Sequence, residues 1–356
     1  TNKIIITQYS MNPIDHLGLL KMDFLGLKNL TVIENTIAIV RATTGTIIDI
    51  EQLPLDDKKT FNLLKSAATI GVFQLESSGM RRYLKQLQPT EMEDIIAMVS
   101  LYRPGPMEFI PDYIDGKHGR KKITYIDERL RPILEKTYGI AVYQEQVSEI
   151  ARQLAGFTYG EADVLRKAVA KKIKSLLNEQ GEKLIRGMIQ HGIQRDVAQK
   201  IWDFILPFAR YGFNRSHAAC YAMIAYRTAY LKANFPAQFM AALMTGDEHD
   251  TDRIALEIKH AREMGIAVLT PDINESFGYF TVVKESLGED DDKTVSFEHS
   301  IQQRNVPNDK VLKTPRIRFG LNAVKNVGAH IVDVLIRERK RGGRFSSLEN
   351  FLSRGQ

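Results

Sequence analysis

From Thr31 onward the apolar residues recur at helical spacing, and Gly and Pro mark where each helix must stop. Ser77 or Ser78 is placed to cap a helix through Gln86, and Pro89 closes it. Tyr102-Arg103-Pro104-Gly105-Pro106 must be a turn or extended loop, because each Pro restricts the residue before it. The pattern predicts helices over Tyr143–Ala155, Gly160–Ile173, Val197–Ala209 and Ser216–Asn234, with Pro236 ending the last and Tyr211-Gly212-Phe213 linking two of them. A further helix fits Asp252–Met264, with Gly265 as its stop. Strands are short: Leu17–Phe24, Ile70–Leu75, Ile266–Leu269 and Ile317–Phe319. In the first, Leu20, Met22 and Phe24 would face a core, and Lys21 and Asp23 would share the opposite face. The chain closes with a helix, a tight Val327-Gly328 turn and a second helix over Ile331–Lys340. The fold class expected is mainly α with short strands (α+β).

Length and charge narrow the classes. At roughly 150 residues per domain, 356 residues suggest about two or three domains. One cysteine, Cys220, makes no internal disulfide. No apolar run approaches the ~20 residues that span a bilayer, and no signal peptide opens the chain. Thr1 to Gln8 reads like mid-domain sequence, so a piece of a longer chain is expected. Lys plus Arg (49) against Asp plus Glu (43) gives +6, mildly basic; where that charge sits says more than its sum. The acidic run Glu289-Asp290-Asp291-Asp292 and the polar stretch through Thr314 read as a surface insertion of about 30 residues.

Four groups of residues are placed for chemistry. Lys21 and Asp23 set an ammonium beside a carboxylate, either a surface ion pair or a Mg²⁺-binding Asp next to a phosphate-binding Lys. Arg166 to Lys174 carries five positive charges in nine residues, with Lys167, Lys171 and Lys174 on one helix face. That is a solvated face or a grip on triphosphate or nucleic-acid phosphates. Arg210-Tyr211-Gly212-Phe213-Asn214-Arg215-Ser216-His217 delivers donors and aromatic faces to a helix start, where the helix dipole favours anions. It is either a base-stacking phosphate site or a capped helix with exposed basic residues, and His217 could be a core or capping residue. Tyr221, Tyr226 and Tyr230 read as packing residues. Lys325-Asn326-Val327-Gly328 resembles the turn of a helix-hairpin-helix, whose backbone N–H groups face DNA phosphates. No phosphate loop, zinc-binding pair or nucleophile elbow is present, which argues against a self-contained NTPase, zinc hydrolase or serine hydrolase.

Longer runs carry a resemblance. Lys21-Met22-Asp23-Phe24-Leu25-Gly26-Leu27, Val72 to Met80, Leu101 to Pro106, Thr137 to Val147, Gly160-Glu161-Ala162-Asp163 and Tyr211 to Ala219 occur in order, followed by Pro271-Asp272-Ile273-Asn274 and Phe319-Gly320-Leu321. Together they resemble family C, the alpha subunits of bacterial replicative DNA polymerase III. The resemblance implies residues 1–30 as the edge of a nucleotidyltransferase-type palm sheet, 31–246 as a large helical fingers domain, and 247–356 as a small duplex-DNA-binding region with a helix-hairpin-helix and an acidic insertion at 285–315. It implies addition of deoxynucleotides to a primer 3′ end with two Mg²⁺ ions. Asp23 matches the third catalytic, metal-binding aspartate, with two ligands outside this chain, so the chain alone is expected to be inactive. Lys21, Arg166, Lys167, Lys171, Arg210, Asn214, Arg215, Ser216 and His217 match positions on the incoming nucleotide, and Lys325, Val327 and Gly328 match the duplex-contacting turn. Primer-template DNA and deoxynucleoside triphosphates are the implied partners, with a sliding clamp and other replisome subunits reached through regions outside this chain. The implied setting is the bacterial cytoplasm, near the nucleoid, with no membrane. Lys167 stands where the family usually has Arg, giving up bidentate phosphate geometry, and Ala170 stands where it has Gly. Arg215 stands where Lys is common. A non-catalytic DNA-binding module, or a scaffold for replisome proteins, is the rival reading.

Overall fold

The computed structural model describes residues 5–10, 13–14, 17–20, 22, 26–170, 174–283 and 316–354. Helices dominate it. The first four are α1 (Lys28–Thr44), α2 (Lys58–Ser66), α3 (Ser78–Leu87) and α4 (Met92–Leu101). Asp57 caps α2 by accepting from the Thr60 N–H at 2.8 Å, and Ser77 caps α3 through Met80 N–H. The Tyr102–Pro106 segment is a turn, as its prolines require, and leads through a 3₁₀ turn (Pro106–Phe109) into α5 (Ile110–Lys117).

After the short α6 (Arg131–Leu134) come α7 (Gln144–Ala155), α8 (Tyr159–Ala170), α9 (Lys174–Gln190), α10 (Arg195–Tyr211) and α11 (Arg215–Asn234). Gly156, at φ 71°, ends α7 in the left-handed conformation that glycine adopts without strain. α11 packs on α4 and α2, and its Ala222, Ala225, Tyr226 and Ala229 are fully buried among apolar residues from α2 to α10. Tyr226 is a packing residue, as expected, and its hydroxyl donates to Pro54 O.

A second core joins α1 to α12 (Pro236–Gly246), α13 (Thr251–Glu263) and a three-stranded sheet. The sheet order is β1 (Ala267–Leu269), β3 (Arg316–Arg318), β2 (Thr281–Val283). β1 runs parallel to β3 with Val268 opposite Ile317, and β2 runs antiparallel with Val282 opposite Ile317. α14 (Ala329–Gly342) and α15 (Leu348–Arg354) follow. Asn274, in the quoted Pro271–Asn274 motif, ties this end together. Its side chain accepts from Phe345 N–H at 2.7 Å and donates to Phe345 O at 3.0 Å.

Three expectations need correction. Residues 17 and 18 form a turn, and 19, 20 and 22 are not in a strand. Leu20 and Met22 are 84% and 63% exposed rather than facing a core. Among the described residues the strands pair only within the 267–318 sheet, and a strand without a paired neighbour is not stable in water. Ile70–Leu75 is a series of turns, not a strand. Gly71 at φ 77° and Gln74 at φ 61° reverse the backbone, so Ile70, Val72, Phe73 and Leu75 are buried by a folded loop. The helix expected before the Val327-Gly328 turn is a single 3₁₀ turn, Leu321–Ala323. The acidic insertion lies outside the described residues.

Candidate functional site

The loop between α10 and α11 is built by contacts from three distant parts of the chain. Phe213 and Tyr143 form a lone parallel bridge: Gln144 N–H donates to Phe213 O at 3.0 Å and Phe213 N–H to Val142 O at 3.1 Å. Arg103 reaches in from the Tyr102–Pro106 turn. Its guanidinium donates to Tyr211 O at 2.7 Å and to Ser100 O at 2.8 Å, and lies over the Phe213 ring at 4.2 Å. Burial lowers its pKa. Gly105, at φ 104°, lets the Tyr211 ring come so close that an added Cβ would sit 2.6 Å from it.

Asn214 caps α11 by accepting from His217 N–H at 2.7 Å. Arg215 N–H donates to the Glu145 carboxylate at 3.0 Å. The anion at this helix start is therefore the chain's own Glu145, a favourable place for it. The Arg215 guanidinium pairs with Glu93 and lies 5.8 Å from the Tyr143 ring. Ser216 and His217 are exposed. The His217 ring stands between Phe213, at 5.4 Å and 72°, and Tyr221, at 4.3 Å and 33°. It is neither a core histidine nor a side-chain cap; it is the exposed member of an aromatic stack.

Arg166 joins this loop through Gln144. It donates to Gln144 Oε1 at 3.4 Å, and Gln144 Nε2 donates to Gly212 O at 3.0 Å. Arg166 also pairs with Asp163 at 2.6 Å, and Lys167 with the same carboxylate at 2.8 Å. Hydrogen bonds from Lys167 and Arg166 hold the Asp163 carboxyl below its usual range. Lys167 is 60% exposed, and such pairs contribute under about 1 kcal/mol. A multiply charged phosphate can therefore displace Asp163 from both cations at little cost.

The structure thus ties Arg166 to the 212–217 loop through Gln144, with Lys167 sharing the Asp163 carboxylate, and that loop carries Asn214, Arg215, Ser216 and His217. Lys21, Asp23, Lys171 and the side chain of Arg210 lie outside the described residues. Among the described residues no cluster of three or more His, Cys, Asp or Glu is arranged to hold a metal ion. Lys325, Val327 and Gly328 belong to a turn that packs, through Val327, on a small core of Leu321, Val332 and Ile336. Lys325 and Gly328 are exposed there, and Gly328 is the N-cap of α14 with open space around it. Sequence reasoning missed Arg103, Gln144 and Glu145 as organisers of the loop. The last two lie inside the Thr137–Val147 run and Arg103 inside Leu101–Pro106, so the quoted motifs held the only signal.

The bacterial DNA polymerase III alpha subunit finger domain matches residues 29–192, and a helix-hairpin-helix motif matches residues 265–356. The chain is 46% identical to the DNA polymerase III subunit alpha of Thermus aquaticus over 354 residues, 98% of this chain and 27% of that protein. Against the corresponding subunits of Borreliella burgdorferi and Mycobacterium tuberculosis strain H37Rv the identities are 42% and 43%, each over 98% of this chain and 28% of the relative. The chain therefore spans little more than a quarter of these relatives.

Proposed function

We infer the role from the family: the chain belongs to the bacterial DNA polymerase III alpha subunits, and it supplies the nucleotide-binding wall and a duplex-holding hairpin to a template-directed polymerase. The observation that carries this reading is the 211–217 loop, whose Gly212 carbonyl is tied through Gln144 to Arg166 and whose Phe213 ring packs on His217. On this reading Arg166 and Lys167 exchange Asp163 for oxygens of an incoming deoxynucleoside triphosphate, with Lys171, Lys21 and Arg210 adding charge. They hold the phosphates while charge develops on them during transfer. Asn214, Arg215, Ser216 and His217 line the pocket, and Tyr211 with the His217 stack gives the nucleoside an apolar boundary.

Asp23 is the one ligand this chain would contribute to the two Mg²⁺ ions of the family. Bound there, the ions would activate the primer 3′ hydroxyl. The described residues do not themselves form that site. A chain with one of three carboxylates should extend no primer alone. On this reading the Lys325 charge and the Gly328 N–H contact duplex phosphates, while Val327, whose own N–H donates to Val324 O at 3.1 Å, shapes the turn that presents them. A sliding clamp and other replisome subunits would bind elsewhere on the whole subunit, in the bacterial cytoplasm at the nucleoid. No described helix is long and apolar enough to cross a membrane.

The test is His217→Ala in the full-length subunit. A raised nucleotide KM or lowered kcat, with duplex affinity unchanged, supports the polymerase reading. Lost duplex affinity with unchanged nucleotide kinetics supports a DNA-binding module instead.

A further inference from the structure

Lys232, near the C-terminal end of α11, is fully buried. A buried ammonium persists only where its donors are satisfied. Lys232 Nζ has three acceptors: Ala68 O at 2.7 Å, Ile70 O at 2.6 Å and His260 Nε2 at 2.7 Å. With Lys232 charged, its three donors meet these three acceptors, which assigns the His260 proton to Nδ1, 3.5 Å from the Glu263 carboxylate. Burial pushes the Lys232 pKa down to about 7, Arg81 adds to the shift, and Glu76 and Glu257 oppose it.

These bonds pin the 68–76 turn. The turn needs holding, because Gln74 is in the left-handed region at φ 61°. It is pinned again by Phe73 N–H, which donates to Thr228 Oγ1 at 3.1 Å, and by Gly71 N–H, which donates to Glu76 Oε2 at 2.9 Å. Glu76 in turn pairs with Arg253 of α13. The turn presents the Phe73 ring to Tyr221 at 5.3 Å, and Tyr221 stacks on His217 at 4.3 Å. One run of contacts thus joins a buried cation to the exposed ring of the nucleotide wall.

We propose that Lys232, held by His260, is a positioning residue that sets the His217 ring through the 68–76 turn, Phe73 and Tyr221, and so tunes nucleotide binding. The proposal rests on the reading of His217 given above. It makes the nucleotide wall dependent on α13, which packs against the sheet of the second core.

A double-mutant cycle in the full-length polymerase subunit tests it. Nucleotide KM, kcat and duplex affinity are measured for Lys232→Met, His217→Ala and the double variant. Met keeps the length and apolar stem of Lys and removes all three bonds. Lys232→Met should raise nucleotide KM by on the order of tenfold, with little change in kcat or duplex affinity. Added to His217→Ala, it should change KM by less than about twofold, because both act through one ring. Phe73→Leu, which keeps an apolar core side chain but removes the ring against Tyr221, should repeat the pattern and decides the matter if Lys232→Met does not fold. Equal KM changes with and without His217, or wild-type KM in both Lys232→Met and Phe73→Leu while His217→Ala raises it, overturn the positioning role alone. A wild-type KM in His217→Ala overturns the nucleotide-wall reading and this inference with it.

Discussion

Replacing Arg103 should loosen the candidate loop more than any exposed basic residue near it. Arg103→Met removes donors to Tyr211 O at 2.7 Å and Ser100 O at 2.8 Å, and the cation over the Phe213 ring at 4.2 Å. A hydrogen bond from a charged donor contributes about 1.5–3 kcal/mol, and the stacked cation about 0.5–1 kcal/mol where it is partly solvated. Arg103 is only partly buried, and water can reach the Tyr211 carbonyl once it is freed, so the lower ends apply. The two bonds and the stack, each at its lower end, give an expected loss of about 3–4 kcal/mol. Arg103→Lys keeps the charge but not the planar fork, and loses one bond and the stack, for about half that cost. Urea unfolding of the variants gives the free energies, and limited proteolysis between residues 209 and 214 reports the loop directly. Faster cleavage should accompany the lost stability. A loss below about 0.5 kcal/mol for Arg103→Met, or wild-type behaviour for Arg103→Lys, would refute the geometry as the cause.

Other outcomes follow from single sites. In Gly320→Ala the new Cβ would lie 2.7 Å from Gly278 O and from the Tyr279 carbonyl carbon, backbone that cannot swing aside, so thermal unfolding should show about 1–3 kcal/mol of destabilisation. Gly160→Ala meets open space in the first turn of α8 and should stabilise by about 0.4–1 kcal/mol in the same assay, because Ala has fewer unfolded conformations to lose. Burial and the Lys232 charge lower the His260 pKa from 6.5 to about 4. The unfolded chain therefore takes up this proton near pH 6.5, while the folded chain resists it until about 4. His260 contributes stability that is complete above pH 6.5 and is lost as pH falls toward 4, at up to about 1.4 kcal/mol per pH unit. Glu257 works in the opposite sense: burial, then Asp247, raises its pKa to about 8, and its contribution fades as pH rises from 4.5 to 8. Comparing unfolding of wild type and His260→Gln from pH 4 to 7 isolates the histidine, and parallel curves would rule it out.

Helices were legible where periodicity and caps agreed. Asn214 before α11 and Gly156 after α7 act through local bonds, so adjacent residues suffice to read them. Ile70–Leu75 misled because a buried turn and a buried strand share the same apolar content. Only the reversals at Gly71 and Gln74 separate them, and Gln74 carries no sequence signal for a positive φ. In the site, the basic and aromatic residues of the 210–217 run were visible, but their partners were not. Glu93 and Glu145 reach Arg215 across more than a hundred and about seventy residues respectively, and Lys232 reaches the 68–70 carbonyls across more than a hundred and sixty. Such pairs are set by packing of α4, α7 and α11, which spacing along the chain does not encode.

On the proposed function, the 211–221 surface touches the incoming nucleotide while the 325–328 hairpin touches duplex DNA. Photo-crosslinking tests it most directly: the full-length subunit, bound to primer-template, is irradiated with a photoreactive azido-deoxynucleoside triphosphate and the adducts are mapped by mass spectrometry. Adducts should fall within residues 211–221, be competed away by the matching natural nucleotide and be independent of Lys325→Glu. Adducts confined to residues 320–345, with the 211–221 peptide unmodified, would contradict it.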